Sequence, residues 1–174
     1  MDERRPLVLL DTNVWVDYYS SPREGHDAAR SLMDGVECAG AQLLYAIQSM
    51  KDVFYLVASD YKSWTRKRTG TLTEAQAAAA TATAWGCLDN MAEIACAVGC
   101  DQSDVWLARK TRRLHADFED DLVLAAAQRA GADLLVTSDA QLRRHAPVAA
   151  LSVPDALAYL QTLDAPPGPG TGLV

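Results

Sequence analysis

No stretch of the 174-residue sequence approaches the roughly 18 consecutive apolar residues that a membrane-spanning helix requires. The opening Met1-Asp2-Glu3-Arg4-Arg5-Pro6 runs into the first apolar segment without a secretory leader. A cytoplasmic protein with no membrane partner is therefore expected. Cysteine is sparse and badly spaced for metal: Cys38, Cys87, Cys96 and Cys100 form no CxxC pair. No histidine stands at zinc spacing from them, so free thiols are expected rather than a zinc site. A basic excess is missing too. The net charge is −7, which argues against a protein that coats nucleic acid.

Net charge hides distribution, however. Lys62, Arg66, Lys67 and Arg68 fall within one short segment, and Arg109, Lys110, Arg112 and Arg113 within another. Together they hold half of the 16 basic residues, with no acid inside either cluster. Tyr61 and Trp64 accompany the first and offer rings on which a base could stack. Solvated helix ends are the plainer reading of either cluster taken alone. His26, His115 and His145 read as surface or helix-end residues.

Hydrophobic residues make up 49% of the chain and charged residues 22%, as in an ordinary globular protein. One domain over 1–164 is expected, followed by a disordered Pro/Gly-rich tail at 165–174. There is no internal repeat and no linker. Leu7-Val8-Leu9-Leu10-Asp11 has the length and two-faced apolarity of a central parallel strand. A helix or tight turn over 12–20 should follow. Ser21-Pro22-Arg23-Glu24 predicts a capped helix from Pro22 to Asp34, and a weak strand is expected within 36–42. The run 43–60 predicts the most apolar helix, and Thr71-Leu72-Thr73-Glu74 opens an alanine-rich helix to about Met91. A strand over 93–98, helices over 102–113 and 118–130, and a strand over 133–137 come next. A short helix near 139–145, a strand over 148–152 and a helix over 154–163 complete the series. Such alternation defines a three-layer α/β/α sandwich around a mainly parallel sheet.

Ligands of parallel sheets bind beyond the carboxyl ends of the strands. Asp11 and Asp139 each follow an apolar strand at such an end, although either could simply cap the helix after it. Asp52 is the only acid between Leu43 and Ala58, and a carboxylate buried there without a partner would be costly. Asp117-Phe118-Glu119-Asp120-Asp121 places four acids in five residues at a helix start, where the macrodipole favours some of them. Asp117 and Asp120 stand three apart and can share a face, and Asp120 leads into the apolar run Leu122-Val123-Leu124-Ala125. These candidates supply only oxygen ligands. Mg²⁺ or Mn²⁺ matches such a set, whereas zinc and copper do not. Carboxylate-held divalent cations serve phosphoryl transfer and phosphodiester hydrolysis.

With those residues assembled, the chain resembles the PIN-domain family, which includes the ribonuclease toxins of VapBC-type toxin–antitoxin pairs. The resemblance lies in Leu9-Leu10-Asp11-Thr12-Asn13-Val14-Trp15-Val16-Asp17 and in Asp117-Phe118-Glu119-Asp120 with Ala125-Ala126-Ala127. It continues through Gly131-Ala132-Asp133 and Val136-Thr137-Ser138-Asp139, and is thin between 60 and 95. It implies a Mg²⁺- or Mn²⁺-dependent endoribonuclease acting on RNA. By position, Asp11 is the first acid, Asp120 the third and Asp139 the fourth, with Thr137 beside it. Asn13 matches a residue that steadies the site, and Asp117 is an auxiliary acid. Many members carry a Glu where this chain offers Asp52, one methylene shorter, as the second acid. Asp121 competes with Asp120 for the third position. The two basic clusters would hold the RNA backbone. The resemblance also implies a homodimer and an antitoxin partner, for which the acidic net charge would suit a basic peptide.

Rival readings remain on the sequence. A haloacid-dehalogenase-type phosphohydrolase also begins from an Asp at a strand end, but needs an acid two positions later, where Asn13 stands, and a late lysine motif that is missing. A catalytically degenerate PIN-fold binding module and a DNA-directed nuclease are the remaining alternatives.

Overall fold

The computed structural model describes residues 4–112 and 117–164. The expected tail at 165–174, the turn at 114–116, Arg113 and His115 lie outside the described residues. The chain runs β1 (Leu7–Leu10), α1 (Thr12–Tyr19), α2 (His26–Cys38), β2 (Gln42–Ala46), α3 (Ser49–Thr69), α4 (Glu74–Ile94) and β3 (Cys96–Val98). It continues through α5 (Gln102–Thr111), α6 (Phe118–Ala130), β4 (Leu134–Val136), α7 (Ala140–His145), β5 (Ala150–Leu151) and α8 (Val153–Asp164).

The strands pair in the order β3-β2-β1-β4-β5, and every pairing is parallel. Alternation along the strands divides the core into two. Val8 and Leu10, Leu43 and Tyr45, and Leu134 and Val136 face one way, packed with α1, α2, α3, α4 and α8. Leu9, Leu44, Ala46 and Leu135 face the other way, against Val123, Leu124, Ala126 and Ala127 of α6 and Leu142 of α7. Because both faces are covered at the centre of the sheet, β1 and β4 are apolar throughout instead of alternating with polar residues. The three-layer α/β/α sandwich follows directly.

Several boundaries differ from the sequence expectation. The helix expected at Pro22–Asp34 starts at His26 and ends at Cys38. Ser21–Gly25 instead forms turns, with Arg23 N–H donating to Ser20 O and Arg23 bound to Asp17, so tertiary ion pairing overrides the local capping signal. The second strand lies at 42–46, later than 36–42, because the helix takes the residues up to Cys38. Leu43 and Leu44 consequently belong to β2, and the apolar helix expected over 43–60 becomes α3, which runs to Thr69 and carries the first basic cluster. The box opening α4 is formed by Thr73 and Gln76, two residues beyond Thr71. Gly131, at φ 61°, ends α6 in the left-handed conformation that glycine adopts without steric cost.

The order of strands places the site. From β1 the chain moves outward through β2 to β3, then returns to the other side of β1 as β4 and β5. The order therefore reverses between β1 and β4, and their carboxyl ends open a crevice there. Asp11 and Thr137 follow those two ends directly.

Candidate active site

Asp11 continues the β1–β4 ladder, its N–H donating to Val136 O at 3.0 Å. It is 2% exposed. It occupies the N-cap position of α1 without a side-chain capping bond, so its carboxylate is not spent on ending that helix. Thr137, fully buried, donates from Oγ1 to Asp11 Oδ2 at 2.7 Å and accepts the Asp139 N–H at 3.0 Å. Burial pushes the Asp11 carboxyl above its ordinary range. The Thr137 hydroxyl and the Thr12 N–H act in the opposite sense, and the charges of Asp139 and Asp117 push it up further.

Asp139 and Asp117 do cap helices. Asp139 Oδ1 accepts from Gln141 N and Leu142 N at the start of α7. Asp117 Oδ1 accepts from Glu119 N at 2.9 Å and from Asp120 N at 3.5 Å at the start of α6. The capping expectation and the placement of both acids near Asp11 are thus compatible, since the capping bonds fall on one oxygen of each carboxylate.

A second acidic pair stands beside the first group. Thr12 Oγ1 donates to Ser49 Oγ at 2.8 Å and lies 3.4 Å from Glu119 Oε1, which ties α1 to α3 and α6. Partial burial raises the Glu119 carboxyl, as do the charge of Asp52 and a hydrogen bond shared with it; Asp117 adds to the effect and the Thr12 hydroxyl opposes it. Asp52 is partly buried in the first turn of α3, with Lys51 Nζ at 3.2 Å from its Oδ1. The surface Lys51–Asp52 pair and the inward-facing acid are therefore the same residue seen from two sides. Glu119 is the residue that sequence reasoning passed over. It lay inside the acidic run, but only the approach of α3 to α6 reveals that it meets Asp52.

Asp120 is half-buried at the third position of α6. Its neighbour Asp121 is 2% exposed, and its Oδ1 has no hydrogen-bond partner. Asn13 is exposed on the first turn of α1. The donors around Asp11 are carboxylates and hydroxyls, a set that suits a hard divalent cation. Among the described residues, no three acids, histidines or cysteines are drawn together at metal-holding spacing. Like-charged carboxylates at the mouth of a crevice repel, and the upward shifts of Asp11 and Glu119 report that repulsion together with burial.

The two basic clusters occupy different places. Lys62, Arg66, Lys67 and Arg68 lie on the C-terminal half of α3, roughly 15–24 Å along the axis from Asp52 at 1.5 Å per residue. Arg68 covers the Trp64 ring, 4.6 Å from its centroid. Arg109, Lys110 and Arg112 end α5. Arg129, near the end of α6, binds Asp104 and Asp101 at the start of α5, so the two helices run antiparallel. The basic end of α5 consequently lies beside the acidic start of α6.

A parallel sheet with Asp11 and Thr137 at its switch point has a crevice where ligands of such sheets bind. The chain belongs to the PIN-domain family, whose model matches residues 7–141. Solved structures repeat the fold at low identity. VapBC2 from Rickettsia felis, solved with a DNA fragment from its promoter, is 13% identical, with a TM-score of 0.59 over 84% of this chain and 98% of that one. VapC20 from Mycobacterium tuberculosis, a toxin that cleaves the sarcin–ricin loop, is 13% identical, with a TM-score of 0.55 over 79% and 93%. FitAcB from Neisseria gonorrhoeae is 16% identical, with a TM-score of 0.57 over 84% and 97%. No curated protein sequence matches the chain.

Proposed function

We propose that the protein is a Mg²⁺- or Mn²⁺-dependent endoribonuclease that hydrolyses RNA phosphodiester bonds, and that it is the toxin of a toxin–antitoxin pair. One observation carries the reading: a buried carboxylate at the sheet's switch point, Asp11, feels the charges of Asp139 and Asp117 from two other elements. Asp11, Asp139 and Asp120 are the residues that would hold the cation, with Asp52 reaching it directly or through Glu119. Asp117 is auxiliary, and Asn13 steadies the mouth. A divalent cation bound there supplies neutralisation of phosphoryl charge and activation of water. Thr137 fixes the Asp11 carboxylate through its 2.7 Å hydrogen bond, and the Thr12–Ser49 pair borders Glu119. Arg109, Lys110, Arg112 and Arg113 hold the phosphate backbone near the cleft, and Lys62, Arg66, Lys67 and Arg68 hold it further along the strand.

The partners in this reading are RNA, a second copy of the chain in a homodimer, and an antitoxin whose basic segment meets a protein of net charge −7. The place of action is the cytoplasm; no described helix is long and apolar enough to cross a membrane. The test is cleavage of a defined RNA by the purified protein with Mn²⁺, with chelator, and with Asp11→Asn in Mn²⁺. Cleavage in the first condition alone is expected. Cleavage that survives the Asp11→Asn change would remove the acid site from the reaction, and cleavage of DNA but not RNA would move the activity to the other nucleic acid.

A binding module on the same fold is the second reading, favoured by the absence of a three-acid group at metal spacing among the described residues. Manganese titration separates the two. A degenerate site shows neither thermal stabilisation by Mn²⁺ nor cleavage.

A further inference from the structure

Trp106 is 58% exposed on α5, and what sets it apart from the other exposed rings is the cations around it. Arg109 and Lys110 follow at three and four residues, so they share its helical face. Lys110 Nζ stands 3.6 Å from the centroid of the indole ring. Trp106, Arg109, Lys110 and Arg112 line a surface recess of about 360 Å³. Trp106 also lines a second recess of about 250 Å³, with Leu107, Ala125, Gln128 and the paired Asp104 and Arg129. A ring shared by two recesses, the first lined by three cations, has the chemistry of a base-stacking platform with phosphate contacts. The antiparallel packing of α5 on α6 sets Trp106 opposite Ala125 and Gln128, with Arg112 at the end of α5 toward the acidic start of α6.

We propose that Trp106, with Lys110, Arg109 and Arg112, forms a subsite that stacks one base of single-stranded RNA on the approach to the acidic cleft. This rests on the endoribonuclease reading and adds to it a named contact for a base at a distance from the acids. A duplex hides its base faces in the helical stack and could use only the cations, whereas an unpaired base offers a face to the indole. Lys110 leaves the ring for the phosphate of the incoming nucleotide, exchanging a cation–π contact for a stack and an ion pair. On a chain of net charge −7, a local basic patch with an exposed ring also selects where a polyanion approaches.

The test is binding of a labelled single-stranded oligoribonucleotide, and of its duplex, to Asp11→Asn protein in chelator, where no cleavage occurs. Trp106→Ala should weaken single-strand binding about 10-fold or more, a loss within the range for one stacked base. It should leave duplex binding nearly unchanged. Trp106→Phe should keep most of the affinity, and Trp106→Leu, which preserves apolar bulk without the ring, should lose it. Unchanged single-strand affinity in Trp106→Ala and Trp106→Leu, or equal losses on duplex, would overturn the subsite. So would loss of self-association with RNA binding intact, which would assign the ring to a second copy. Cleavage of RNA by the parent protein is scored separately. A parent that cleaves while the Trp106 variants bind normally sinks the subsite alone. A parent inert in every metal, with ring-dependent binding retained, sinks the nuclease reading alone.

Discussion

Thr137 and Asp11 end neighbouring parallel strands, and the threonine hydroxyl gives its hydrogen to Asp11 Oδ2 at 2.7 Å with both residues buried. The same hydroxyl oxygen receives the Asp139 N–H. One side chain thus orients one acid and fixes the backbone that presents another. Thr137→Val keeps the shape but removes both functions. It should lower stability by about 1–3 kcal/mol, the cost of leaving a buried acceptor without its donor. Cleavage should fall about 10- to 100-fold, the usual effect of losing a group that orients a metal-site ligand. Thr137→Ser should restore most of both. Urea unfolding and a cleavage time course measure the two effects, and a Thr137→Ser protein as poor as Thr137→Val would contradict the hydrogen-bond account.

Asp11 itself should cost the fold stability at neutral pH. Its carboxyl is raised in the folded state, by burial first and by Asp139 and Asp117 afterwards. A group raised on folding contributes stability that is full below its unfolded pKa, near 3.9, and lost as pH rises through the folded value. At pH 7 the ionised Asp11 is therefore unfavourable. Asp11→Asn should melt at a higher temperature than the parent at pH 7, and the gap should close below about pH 4. Mn²⁺ should reverse the order. At one hundred times its dissociation constant a ligand adds about 2.7 kcal/mol, and that gain should appear in the parent and vanish in Asp11→Asn. Melting curves at both pH values, with and without Mn²⁺, decide the point; a parent indifferent to Mn²⁺ would favour the binding-module reading.

Asp52 raises the Glu119 carboxyl through its charge and through the hydrogen bond that forms once one of the two is protonated. Because the two carboxyls act on each other, their substitutions should not add. Glu119→Ala and Asp52→Ala should each reduce cleavage about 10- to 100-fold, and the double variant should lose little more than the worse single one. Asp52→Glu should keep activity, since the longer side chain reaches the same space. Strictly multiplicative losses in the double variant would separate the two residues into independent roles.

How far the site was readable from sequence depends on which interaction placed each residue. Asp11 was legible because its strand is apolar on both faces and the acid follows immediately; Thr137 and Asp139 repeat that pattern on β4. The layers were legible for the same reason, since strand and helix periods differ. The start of α2 was not, because Arg23 turns toward Asp17 and Asp60, a contact that no local capping rule contains. Leu43 and Leu44 read equally well as the start of the helix that follows, because an apolar run of that length has no period of its own. Glu119 was hidden within a run of acids that differ little in sequence. Only helix packing decides that it meets Asp52 and Thr12, while Asp121 two residues later is buried.

The clamp that aligns α5 with α6 supplies an acid-sensitive hold on the proposed base-stacking face. Arg129 binds Asp104, which is buried, and Asp101. The Asp101 carboxyl is lowered to about 2, first by the Ser103 hydroxyl and N–H and then by Arg129. A carboxyl lowered on folding contributes stability that is present above its unfolded value and lost as pH falls through the folded one. The loss should therefore run from about pH 4 down to about 2, attenuated by salt because the pair is exposed. Ser103→Ala and Arg129→Met should each start less stable at pH 6. Their deficits should shrink as the pH falls toward 2, since the parent loses the same interaction there. Denaturant unfolding across that range is the measurement. Curves that stay parallel to the parent would mean that the helices are held by packing alone, and that the approach of α5 to the acidic cleft does not depend on these charges.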